Sequence, residues 1–154
     1  MKRIVFAVLA AIVLSGCLGG ETAPEKPPVA NIKIQGMDNL NPTAEGESTP
    51  VVLHLYALKR ASKFRNAGFF PLYDAPAKTL GADLVSSEQI TVRPGESLKR
   101  TWVVDSGIKY IGALAAFRNI DRSVWQDVRE ITGDKDTFFY AVTVGDGKVR
   151  VETP

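Results

Sequence analysis

Residues 137–152 read TFFYAVTVGDGKVRVE. Two runs of strand character, 137–144 and 148–152, are separated by Gly145-Asp146-Gly147, the residue types that a tight reversal between antiparallel strands requires. Further runs of period-two character lie upstream. Residues 29–35 alternate around Ile32 and Ile34, and 51–58 (VVLHLYAL) are apolar on both parities, as expected of a strand covered on both faces. Residues 89–93 alternate and stop at Pro94-Gly95. Proline presets the first turn position and glycine supplies positive φ at the second, which predicts a type II turn. Residues 98–104 resume with Trp102 and Val104 on one face. Residues 109–117 are small and apolar, which suits a central strand, and 125–131 complete the set. About eight strands at near-regular spacing predict an all-β fold, a two-sheet sandwich or barrel.

One stretch departs from the pattern. Residues 61–73 (ASKFRNAGFFPLY) hold Phe64, Phe69, Phe70 and Leu72 without alternation. Ser62 suits a helix N-cap and Gly68 a helix end, so a short helical insertion packed on the sandwich by its aromatics is expected.

The N-terminus has a different logic. Lys2 and Arg3 precede an apolar run from Ile4 to Leu14, the layout of an export signal. The run falls short of the roughly 20 apolar residues that span a bilayer. Leu14-Ser15-Gly16-Cys17 follows, and it resembles the bacterial lipobox. That resemblance implies cleavage after residue 16, a diacylglycerol on the Cys17 sulfur and an acyl chain on its amine. Cys17 is the one cysteine of the chain, so no internal disulfide forms and no second thiol is left to react. Leu18, where related lipoproteins kept at the inner membrane tend to carry Asp, favours the inner leaflet of the outer membrane, facing the periplasm. Residues 17–28, with LGGETAPEKPP after the cysteine, lack apolar periodicity and read as a flexible tether. Residues 29–154 form the sandwich domain.

Removing residues 1–16 leaves roughly 138 residues, enough for one domain that needs no disulfides. Of 19 Lys and Arg, two leave with the signal, and 17 then face 17 Asp and Glu. That neutrality argues against nucleic acid or an anionic membrane face as a partner, since both select a basic excess. The residue inventory also argues against catalysis. His54 is the one histidine, sits mid-strand, and reads as a hydrogen-bonded structural residue. Neither a His-rich zinc site nor a serine triad can be assembled, and Asp134 and Asp136 read as a solvated turn. Asp83, Glu88 and Asp105 fall at scattered element ends. For Trp102, core packing is favoured over a sugar-binding platform; for Trp125 the two readings stand nearly level. No resident cofactor, metal or small-molecule substrate is expected, beyond the lipid on Cys17.

Taken in order, the lipobox, the proline-rich tether, Leu40-Asn41-Pro42 with Gly46 and Pro50, the strand VVLHLYALK, Phe64 and Phe69-Phe70, Leu80-Gly81-Ala82-Asp83, Pro94-Gly95-Glu96, and Ala115-Ala116-Phe117-Arg118 before Trp125 resemble the TssJ family of type VI secretion lipoproteins. The likeness spans nearly all of the chain after the signal. It implies a transthyretin-like β-sandwich with a helical addition. It also implies binding to the periplasmic C-terminal part of the inner-membrane protein TssM, in a complex that includes TssL. In that family the loop between the first two strands takes part in TssM contact. Here the loop is residues 37–49 (MDNLNPTAEGEST), an exposed polar segment with an apolar Leu40, and Asn39, Leu40, Asn41, Pro42 and Glu45 are its candidate contact residues. The alternative is another periplasm-facing lipoprotein module, pilotin-like or carbohydrate-binding.

Overall fold

A computed structural model of the chain describes residues 26–104, 107–133 and 136–154. The expected signal segment, Cys17, the tether up to residue 25, and Asp105, Asp134 and Lys135 lie outside the described residues.

Eight strands form two four-stranded sheets. They are β1 (Val29–Gly36), β2 (Val51–Leu58), β3 (Leu84–Val92), β4 (Ser97–Val103), β5 (Tyr110–Ala115), β6 (Gln126–Glu130), β7 (Thr137–Gly145) and β8 (Lys148–Glu152). The first sheet runs β4-β1-β7-β8 and the second β3-β2-β5-β6. All pairs are antiparallel except β1 with β7. The alternation in β1 and β7 aims Ala30, Ile32, Ile34, Phe138, Tyr140, Val142 and Val144 inward. There they meet Leu53 and Leu55 of β2 and Ile111 and Ala113 of β5 in one continuous core.

The other parity of β2 is buried too. Tyr56 and Leu58, with Leu114 of β5, face a second cluster completed by Phe64, Leu72 and Leu80. These three come from α1 (Ser62–Asn66), α2 (Phe69–Asp74) and α3 (Pro76–Leu80), which cover the outer face of the second sheet. The doubly apolar sequence of β2 is thus the trace of two cores, one on each side. Tyr56 donates its hydroxyl to the Leu72 carbonyl at 3.1 Å, which satisfies its polar tip inside the cluster. Burial, with Tyr73 nearby, pushes that phenol far above its ordinary range.

Both open sides of the sandwich are bracketed by side chains. On the β3/β4 side Arg100 Nε meets Glu88 Oε1 at 2.6 Å, and both residues are about one-third exposed. On the β6/β8 side Asp127 Oδ2 accepts the Val151 amide at 2.7 Å while Arg129 Nε donates to the Val151 carbonyl at 3.0 Å. Val124 adds a short parallel bridge, donating to the Gly147 carbonyl and accepting from the Val149 amide, each at 2.9 Å. Backbone groups of β8 that would otherwise stand as a free edge are thereby occupied.

The structure revises several expectations. β3 starts at Leu84, not residue 89, because the added residues (LVSSE) belong to an edge strand and carry no apolar alternation. The insertion is three short helices and a 3-10 turn, Gly81–Asp83, instead of one helix within 61–73. Ser62 does not cap: the N-cap position is Ala61 and no side chain bonds there. Gly68 precedes α2 instead of closing α1. Prolines set these breaks, since Pro71 lies in the first turn of α2 and Pro76 opens α3, where a missing N–H costs little. The expected turn at Pro94-Gly95 is present, with Gly95 at φ +72° and the Glu96 amide 3.1 Å from the Arg93 carbonyl.

Pairing directions fix the two ends of the molecule. β1 and β7 run together, β4 and β8 oppose them, and the Gly36 amide bonds Glu96 in the β3–β4 turn at 2.9 Å. The loop 37–50, the turn 93–96, the connection 116–125 and the turn 145–147 therefore share one pole. The chain enters β1 at the opposite pole, beside residues 131–133, Asp136 and residues 152–154.

Candidate functional site

The pole remote from the chain entry gathers the predicted contact loop with the turns 93–96 and 145–147 and the connection 116–125, which the sequence alone does not assign to the site. The loop leaves β1 with the Met37 amide bonded to the Val144 carbonyl at 2.8 Å. Met37 lies across Gly145, and any side chain at position 145 would overlap it. Leu40 is fully buried in the main core, contrary to its expected exposure. Its burial is the loop's anchor: the hydrophobic effect holds the segment down while its carbonyl accepts the Thr49 amide at 2.9 Å.

Asn41 is also turned inward, 7% exposed, with φ +46°. Asparagine tolerates this left-handed backbone better than most side chains. Its amide nitrogen donates to Thr49 Oγ1 at 3.1 Å and to the Pro50 carbonyl at 2.9 Å. Its side-chain oxygen accepts the Arg118 amide at 2.9 Å. One residue thus ties both arms of the loop to the β5–β6 connection. Beyond it, Thr43 folds the tip: its hydroxyl accepts the amides of Glu45 and Glu47, each at 3.3 Å, and its own amide reaches the Glu47 carbonyl at 2.9 Å. Asn39, Pro42 and Glu45 remain exposed. The Glu45 carboxyl is held below its ordinary range by its backbone amide and the Thr43 hydroxyl, with Arg118 adding to the effect.

A groove of about 380 Å³ opens between these segments, lined by Asn39, Asn41 and Pro42 on one side and by Phe117, Arg118 and Arg122 among the residues opposite. Asp146 of the β7–β8 turn, at φ +48°, closes one end. The groove offers amide, guanidinium and carboxylate groups of both charges around a buried aromatic, and no nucleophile paired with a base. Among the described residues, no three His, Cys, Asp or Glu side chains gather as a metal site. Such a surface suits recognition of another polypeptide.

The other singled-out residues sit elsewhere. His54 is buried under the helices, with its ring centroid 4.8 Å from that of Tyr73. Contrary to the expected hydrogen-bonded role, its Nε2 has no partner among the described residues. Burial pulls its pKa below the ordinary value. Asp83 is 2% exposed and meets Arg60 Nε at 2.7 Å, tying the end of the insertion back to its start. Trp102 packs against the main core, and Trp125 against both cores, edge-on to Phe69 at 5.5 Å. Neither indole is exposed as a sugar platform would require.

Residues 28–152 match the T6SS-SciN family model, described as type VI secretion lipoprotein, VasD, EvfM, TssJ. The chain belongs to the TssJ family of type VI secretion lipoproteins. Among solved structures, the T6SS lipoprotein TssJ1 from Pseudomonas aeruginosa is 33% identical, with a TM-score of 0.78 over 83% of this chain and 97% of that one. Serratia marcescens Lip, described as a membrane bound component of the Type VI Secretion System, shares the fold with a TM-score of 0.77 at 20% identity, over 84% of this chain and all of that one. A chain of the structure described as T6SS protein TssM C-terminal domain (869-1107) from EAEC also shares it, with a TM-score of 0.66 at 19% identity, over 82% of this chain and 98% of that one. No curated protein sequence matches the chain. As a TssJ-family member the chain is a membrane-associated structural lipoprotein and not an enzyme. Phe117, Arg118, Arg122 and Asp146 escaped sequence reasoning because only strand register brings their loops beside residues 39–42.

Proposed function

We propose that this chain anchors the periplasmic C-terminal part of TssM to the outer membrane, in the complex that also contains TssL. Residues 1–16 are removed on export, Cys17 takes the diacylglycerol and N-acyl chains, and residues 17–28 tether the sandwich of residues 29–154 to the inner leaflet. Twelve tether residues span at most roughly 40 Å when extended. The observation that carries this reading is the polar groove at the pole opposite the chain entry, where a tethered domain presents itself to the periplasm. The similar chain in a structure described by the TssM C-terminal domain supports the choice of partner. Asn39, Pro42 and Glu45 make the direct contacts. Leu40 and Asn41 act by holding those three in place.

The test separates the tip of the loop from its anchor. Replacing residues 43–47 by a short glycine-containing turn keeps Leu40 and Asn41, so the thermal transition should hold while binding to the periplasmic domain of TssM weakens at least tenfold. Unchanged binding by the shortened tip, in pull-down and in titration calorimetry, would refute the assignment.

A further inference from the structure

Among the described residues, none forms a layer over the outer face of the first sheet, unlike that of the second, which the helices cover. Register places its side chains in rows across β4, β1 and β7. Nearest the chain entry lie Val103, Val29 and Thr137; next Thr101, Asn31 and Phe139; then Lys99, Lys33 and Ala141. Phe139 is 60% exposed and Val103 56% exposed. Shallow grooves of about 410 and 420 Å³ flank the Phe139 ring, the first of them mainly apolar. Successive rows on one face are about 7 Å apart. The face therefore grades from apolar at the entry end, through a mixed row that holds Phe139, to basic two rows, about 14 Å, further on.

That gradient matches a bilayer surface, where aromatic and aliphatic groups sit among glycerol and upper acyl atoms and lysines reach phosphates just above. The chain's overall balance of charge argues against an anionic membrane face, but the balance is not uniform: Lys33, Lys99 and Arg150 supply positive charge on this face, against Glu152, which lies 4.0 Å from Arg150, and Asp136 at the entry edge. Within these rows Thr101 donates its hydroxyl to Asn31 Oδ1 at 2.8 Å, which lowers part of the cost of dehydrating that pair. The patch also lies at the end where the chain enters β1, the end to which a lipid on Cys17 would lead.

We infer that the entry-end half of this sheet face docks on the phospholipid surface, Phe139 and Val103 entering the interfacial layer and Lys33 and Lys99 binding anionic headgroups. The domain is then held by two contacts, a lipid anchor and a folded face, and its orientation is restricted instead of swinging freely on the tether. The inference rests on lipidation of Cys17, and not on the identity of the protein partner.

The lipidated protein, reconstituted in phosphatidylethanolamine–phosphatidylglycerol vesicles, tests it. With Cys17 consumed by lipid, a Val103→Cys or Glu47→Cys substitution provides a unique thiol for a fluorophore. A shallow nitroxide phospholipid should quench the label at position 103 several-fold more than the label at position 47. Combining Val103→Cys with Lys33→Glu and Lys99→Glu, or with Phe139→Ser, should abolish that difference while circular dichroism and vesicle flotation stay unchanged. Equal quenching at the two positions overturns the inference. So does a label at 103 that is shielded only when the TssM domain is added, which would make the face a protein contact. TssM binding, measured on the same proteoliposomes, reports separately on the partner-anchoring reading.

Discussion

Asn41 joins three segments of the candidate site through one side chain. Its side chain donates twice and accepts once, and its backbone occupies a conformation with φ +46°. Asn41→Ala strands the Pro50 carbonyl and the Arg118 amide, and leaves alanine in a left-handed geometry. A loss of about 2–3 kcal/mol is expected, a drop of roughly 5–10 °C in melting temperature. TssM binding should fall as well. Asn41→Gly relieves the backbone but not the hydrogen bonds, so an intermediate value is expected. Equal stability of all three proteins in urea unfolding would show that the network is idle. His54 makes a different prediction. Its pKa is lowered from 6.5 by burial, so in acid the unfolded chain takes up a proton that the folded one refuses. Above the ordinary value both states are neutral and the residue contributes no pH dependence. As pH falls below about 6.5, stability declines until the depressed folded pKa is reached. His54→Phe keeps an aromatic ring beside Tyr73 and should flatten that part of the stability–pH curve. An identical slope in the variant would remove His54 as its source.

At the scale of elements, the two strands quoted first in the sequence depend on a third that gave little sign of its role. β8 pairs with β7 as the hairpin signal predicts, but its other edge is occupied by Asp127 and Arg129 of β6, which belongs to the opposite sheet. Asp127 Oδ1 also accepts the Val128 amide at 2.8 Å. Asp127→Ala removes a charge-assisted acceptor and uncovers the Val151 amide, for an expected loss of about 1.5–3 kcal/mol. Hydrogen exchange should then quicken at Val151 and Val149 before it does at Val142. Unchanged protection of β8 would mean that water replaces the carboxylate at no cost.

For the whole molecule, the arrangement of ends matters more than any single contact. The chain enters at one pole, and the loops gathered at the other are pinned by Leu40 and Asn41. A membrane subunit built this way needs its attachment at one end to be useful at the other. Cys17→Ser should therefore deplete the protein from the outer-membrane fraction and abolish secretion, although the sandwich still folds. Retention in that fraction would count against the lipid attachment.

Local rules sufficed for much of this architecture. Alternation, turn residues and the doubly apolar run of β2 pointed to about eight strands in a sandwich or barrel, because a period of two and a glycine at positive φ are properties of neighbouring residues; the family resemblance chose the sandwich. The edge residues of β3 were not readable in this way, since a strand half in solvent needs no apolar pattern, and neither was the division of the insertion into three helices. Leu40 looked like an exposed apolar residue in a polar loop, and only the tertiary structure turns it into the core. Likewise Arg118, Arg122 and Asp146 are far from residues 39–42 along the chain. Strand pairing alone, a matter of long-range register, brings them to one groove at the pole away from the chain entry.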